Sequence, residues 1–153
     1  MNFSQLKCYI DRSGYRKILL LGLGNEFRGD DQAGLLLAKV LKERLASDYD
    51  INLVLAGTNP ENYLDKIIEF APDVVFVVDS ADMKEEPGVV RMVNRSDLDG
   101  NLFSTHAFSP GLIEDYVRSQ IDCEFKYLLI QGRSFLLGQS ISSEVKKSIE
   151  EFR

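Results

Sequence analysis

Two short, unbroken apolar runs constrain this chain most: Ile18-Leu19-Leu20-Leu21, closed by Gly22-Leu23-Gly24, and Val74-Val75-Phe76-Val77-Val78, closed by Asp79. Neither alternates apolar with polar, so each predicts a strand buried on both faces, as the inner strands of a parallel sheet are. Between them lies a segment with apolar residues at Ala33, Leu36, Leu37, Val40, Leu41 and Leu45, the spacing of an amphipathic helix. Asp30 and Asp31 stand at its start, where the helix dipole favours carboxylates.

The alternation continues. Ile51 to Leu55 reads as a strand, Asn59-Pro60 opens a helix carrying Tyr63, Leu64, Ile67 and Ile68, and Val89 to Val93 reads as a shorter strand after a Glu86-Pro87-Gly88 turn. Asn94 to Phe108 is polar and reads as a long loop. Ser109-Pro110 starts a helix with Leu112, Ile113, Tyr116 and Val117, Phe125 to Gln131 is a last strand, and Ser142 or Ser143 caps a terminal helix with Val145, Ile149 and Phe152. Strands alternating with helices predict an α/β fold, a three-layer α/β/α sandwich around a mostly parallel, twisted five-stranded sheet. At 153 residues this is one domain, read as residues 17–153, with residues 1–16 as an N-terminal extension.

Charge and composition narrow the function classes. A net charge of −6, with no long basic block, argues against nucleic acid or anionic membrane as partner. No apolar run approaches the roughly 18 to 20 residues of a membrane span, and Met1 to Lys7 lacks the pattern of a secretory signal, so the chain reads as cytoplasmic. Cys8 and Cys123 are too few and too far apart for a disulfide framework.

Ligands of open α/β sheets bind beyond the carboxyl ends of the strands, which singles out Asp31, Asp79 and His106. Two carboxylates and an imidazole would make a three-donor site with open positions for a divalent first-row metal. Each residue also has an ordinary reading: Asp31 as a helix-start acid, Asp79 as the cap of the turn through Asp82, and His106 as a hydrogen-bonded loop residue. Asp30 and Asp82 are near enough in sequence to replace or support a ligand. Phe27 stands where the third glycine of a dinucleotide fingerprint would be, and Leu136 where a serine-hydrolase elbow needs glycine, so neither motif is present.

Taken in order, Gly22-Leu23-Gly24-Asn25 with Gly29-Asp30-Asp31, then Val78-Asp79, then Ser104-Thr105-His106, resembles a hydrogenase maturation protease over about residues 17–140, in the branch that processes the hydrogenase 3 type of large subunit. The resemblance implies an endopeptidase that removes a C-terminal extension from the large-subunit precursor of a NiFe-hydrogenase after nickel insertion. It implies nickel (Ni²⁺) at Asp31, Asp79 and His106, the ion being carried by the precursor, with Asp31 and Asp79 catalytic and substrate contacts at Gly24, Asn25, Gly57 and Thr58. Leu55-Ala56-Gly57-Thr58 and Gln32 depart from the commoner family pattern. Two rivals remain: a relative that docks on the precursor without cutting it, and a phosphoacceptor receiver domain with Asp79 as acceptor. The receiver needs its acid pair at the strand end and a Lys after the last strand, where Gln131-Gly132 stands.

Overall fold

The computed structural model describes residues 1–101 and 110–153, with the backbone alone for residues 99–101. Five strands, β1 (Lys17–Leu23), β2 (Asp50–Gly57), β3 (Val74–Ala81), β4 (Val90–Val93) and β5 (Glu124–Gln131), form one sheet in the order β2-β1-β3-β5-β4. β1, β2, β3 and β5 run parallel, and β4 closes the β5 edge antiparallel. This is the sheet expected from the unbroken apolar runs, and every residue of β3 is buried.

Side-chain alternation along these strands divides the core into two layers. Ile18, Leu20, Val74, Phe76, Val78, Leu128 and Ile130 face α1 (Phe3–Ser13), α2 (Ala33–Leu45) and α6 (Ser143–Glu150). Leu19, Leu21, Val75, Val77, Tyr127 and Leu129 face α3 (Leu64–Phe70) and α5 (Pro110–Gln120). The result is the three-layer sandwich.

Two segments differ from their sequence reading. Residues 1–16, expected ahead of the fold, contain α1, which begins with a reciprocal Asn2–Gln5 capping box and ends at Gly14 in the left-handed region. Its Phe3, Leu6 and Ile10 are buried in the α2/α6 layer, worth about 1.5–3 kcal/mol for each large side chain fully removed from water. The polar stretch after β4, expected as loop, begins with α4 (Arg95–Asn101). The Arg95 guanidinium ties α4 to α5, donating to the Gly111 carbonyl at 2.8 Å, to buried Glu114 at 3.0 Å and to Asp115 at 3.0 Å. No helix among the described residues is long and apolar enough to cross a membrane.

The strand order sets where a ligand would go. From β1 the chain crosses to β2 on one side, while β3 has β5 and β4 on the other, so the sheet reverses direction between β1 and β3. The crevice beyond the carboxyl ends of these two strands is the expected binding place.

Candidate active site

β3 outruns β1. Their last paired residues are Gly22 and Val78, and from Asp79 onward β3 pairs with β5 alone. Asp79 is thus the first residue at the lip of the crevice, yet it is only 1% exposed. Its Oδ1 accepts the Ser80 amide at 2.8 Å.

Asp31 arrives from the other wall. After β1 the chain turns through Asn25, whose side chain accepts the Phe27 amide at 2.9 Å, and enters a 3₁₀ turn, Gly29–Gln32, that leads directly into α2. Asp31 sits on this turn, 5% exposed, and its Oδ1 accepts the Ser80 hydroxyl at 3.2 Å. Ser80 therefore bonds both acids, which are 48 positions apart in sequence (79 − 31). A buried carboxylate is stabilised by such donors, by a proton or by a cation.

Glycines make the close approach possible. A Cβ on Gly34 would stand 2.5 Å from the Leu23 carbonyl oxygen, 2.6 Å from that of Val78 and 2.7 Å from the Asp79 Cα, so only glycine lets the start of α2 seat on both strand ends. Gly24 has φ +140°, and a Cβ there would lie 2.1 Å from the Asp31 carbonyl oxygen.

Beside this crevice runs an open groove of about 450 Å³ lined by residues of the β1 and β2 ends, among them Gly24, Asn25, Phe27, Leu55, Gly57 and Thr58. The four positions expected to meet substrate, Gly24, Asn25, Gly57 and Thr58, thus share one surface, and the Gly24 amide donates to the Gly57 carbonyl at 3.0 Å. Phe27 and Leu55 add exposed apolar area to its wall.

The other acids considered in the sequence are placed elsewhere. Asp30, next to Asp31, is buried but turned towards residues 133–142. Asp82 lies on the surface beside Lys84, whose ammonium holds its carboxyl below the usual range. His106 lies outside the described residues, and among the described residues no three His, Cys, Asp or Glu side chains are grouped as a metal site. Burial pushes the Cys123 thiol up to about 11, so it carries no thiolate near neutral pH. Gln131, at the position where a receiver domain needs Lys, accepts the amide of Met83 at 2.6 Å.

Two contributors escaped the sequence reading. Ser80, which the sequence places in a turn after Asp79, belongs to β3, and its hydroxyl donates to Asp31. Gly34 was passed over within the helical pattern, although a glycine where Ala would favour the helix signals close backbone contact.

Known proteins resemble this chain in sequence and in fold. The hydrogenase maturation protease family profile matches residues 35–152. The hydrogenase 3 maturation protease of Escherichia coli K12 is 30% identical over 135 residues, covering 86% of this chain and 83% of that protein. The crystal structure of the NiFe-hydrogenase maturation protease HycI from Thermococcus kodakarensis KOD1 superposes with a TM-score of 0.83 at 31% identity, covering 95% of this chain and 92% of the other. The solution structure of the endopeptidase HycI from Escherichia coli gives 0.72 at 28% identity, covering 88% and 85%. With the profile spanning most of the sandwich and these relatives covering nearly all of it, this chain belongs to the hydrogenase maturation protease family.

Proposed function

We propose that this protease removes the C-terminal extension of a NiFe-hydrogenase large-subunit precursor in the cytoplasm once nickel has been loaded, and that Asp31 and Asp79 form its reacting centre. The observation that supports the reading is that two buried carboxylates from different elements beside the β1/β3 crevice both bond Ser80, Asp31 its hydroxyl and Asp79 its backbone amide.

In this reading the nickel ion belongs to the substrate. The oxygens of Asp31 and Asp79, with His106 as third donor, meet the ion at coordination positions left open by the precursor's thiolates. Hard oxygen donors bind a thiolate-held ion weakly, which suits a transient check that the metal is in place. A metal ion bound near a scissile carbonyl supplies Lewis-acid polarisation.

The chain's own residues account for the rest of the step. The precursor's C-terminal segment lies along the groove between Asn25 and Thr58, with the Phe27 and Leu55 side chains against its apolar positions. One carboxylate of the pair takes a proton from water as its oxygen adds to the scissile carbonyl, and returns that proton to the departing amine as the C–N bond breaks. Ser80 holds both carboxylates in place through the sequence of transfers.

Mass spectrometry of nickel-loaded precursor incubated with the protein, and separately with Asp79→Ala, tests this. Loss of a C-terminal peptide with the parent protein alone is the expected result. Precursor that is bound but left intact by the parent protein would replace the protease with a docking relative.

A further inference from the structure

Asp30 lies next to the site with its carboxylate heavily bonded, and the reaction above makes no use of it. It is 1% exposed, and its carboxylate takes four hydrogen bonds, all from one loop. Oδ2 accepts the amides of Arg133 at 2.7 Å and Ser134 at 3.3 Å and the hydroxyl of Ser142 at 2.9 Å, while Oδ1 accepts the Ser142 amide at 2.7 Å. Ser142 stands at the cap position of α6, but its hydroxyl goes to Asp30 rather than to the helix.

The backbone reinforces the grip. The Asp30 amide donates to the Ser134 carbonyl at 2.8 Å, the Gly29 amide to that of Gln139 at 3.1 Å, and the Gly138 amide to that of Phe27 at 2.7 Å. Loop 133–142 is thereby fastened along the whole segment that delivers Asp31. A Cβ on Gly29 would come within 2.6 Å of the Ser134 carbonyl oxygen, so turn and loop have no spare room between them.

We propose that Asp30 is a positioning residue for the reaction: by clamping the Gly29–Gln32 turn to loop 133–142 it fixes the rotation of that turn and holds the Asp31 carboxylate against Ser80. The role rests on the reading of Asp31 as a reacting group. Consecutive residues of a 3₁₀ turn point in different directions, so the side chain that anchors the turn and the one that reacts are separate residues on one rigid piece. Four donors also require a group that only accepts, which a carboxylate is and an amide is not.

The test is Asp30→Asn in the full chain, which turns an NH₂ group towards backbone amides that need an acceptor. Cleavage of nickel-loaded precursor is followed below the melting transition, alongside NMR of the Asp31 and Ser80 amides in both proteins. The expected result is a kcat at least tenfold lower with KM changed less than twofold, together with shifted Asp31 and Ser80 resonances. An unchanged kcat with unmoved resonances overturns the proposal, as does a loss confined to thermal stability. If the parent protein cleaves no precursor, the protease reading fails while the resonances still decide whether Asp30 positions Asp31. Should Asp30→Asn not fold, Ser142→Ala removes one of the four bonds and leaves three amides in place. It is expected to lower kcat two- to fivefold at constant KM and to shift the same resonances, and parent-like values of both overturn the clamp.

Discussion

The two ends of the sheet treat carboxylates in opposite ways. At the amino ends of the strands they close the rim locally: the exposed Asp73 side chain accepts the amides of Arg16 and Lys17, both at 2.8 Å, and Tyr15 donates to Glu124. At the carboxyl ends Asp31 and Asp79 are buried, and both bond Ser80 of the middle strand, Asp31 its hydroxyl and Asp79 its amide. The amino-end acids thus join neighbouring pieces of chain and keep water as a partner, whereas the carboxyl-end acids are taken out of water. Burying carboxylates is costly unless they are bonded or bind a cation, so in the proposed reading the amino end holds the fold and the carboxyl end performs the chemistry.

The sharpest way to break this contrast is at the crevice. Asp79→Ala, and separately Asp31→Asn, is expected to lower precursor cleavage by about 10³-fold, in the range that general acid–base groups supply, while circular dichroism stays that of the parent. Retention of more than a tenth of the rate would remove that residue from the reacting centre. A smaller effect, felt in folding as well as rate, is expected from Gly34→Ala. Its Cβ meets three backbone positions at 2.5–2.7 Å, and overpacking of this kind costs about 3 kcal/mol. At roughly 3 °C per kcal/mol for a chain of this size, calorimetry should show melting about 9 °C lower, and a melting point equal to the parent's would mean that the seat of α2 on the strands tolerates a side chain.

The smallest effect belongs to the amino end. The Lys17 and Arg16 amides hold the Asp73 carboxyl below its ordinary range. A carboxyl with a depressed folded-state value adds stability above its unfolded value, and that stability is lost as pH falls through the folded one. Asp73→Asn should therefore melt slightly lower than the parent at neutral pH, with the gap closing below about pH 4, and with precursor cleavage unchanged at pH 7. A gap that persists into acid, or a loss of cleavage, would show that the two ends are not separable in this way.

Legibility from sequence followed the range of the interactions. β1, α2 and β3 were readable because burial on both faces leaves unbroken apolar runs, and Asp31 and Asp79 followed from their places at the ends of those elements. α1 was not, because only Phe3, Leu6 and Ile10 are buried within an otherwise polar segment that looks like a tail until its partner helices are in place. α4 was hidden for a related reason: its sequence, Arg-Ser-Asp-Leu-Asp-Gly-Asn, favours turns, and Arg95 reaches residues on α5 to secure it. The motif resemblance points to Asp31, but what Asp30 does was beyond pattern. Adjacent acids on one turn look alike, and the donors that separate them come from Arg133, Ser134 and Ser142, more than a hundred positions along the chain.

β3, buried along its whole length, also bears on how this protein meets its substrate. A residue carried on the most enclosed strand has little freedom left to lose, so binding need not freeze Asp79 and the ordering entropy falls on the incoming chain instead. In the proposed reading, adaptation to one precursor rather than another is then left to the groove wall, where Phe27 and Leu55 reach into water. Between relatives of this fold, changes in preferred substrate should accordingly collect in the loops beyond β1 and β2, while the central strand stays as it is.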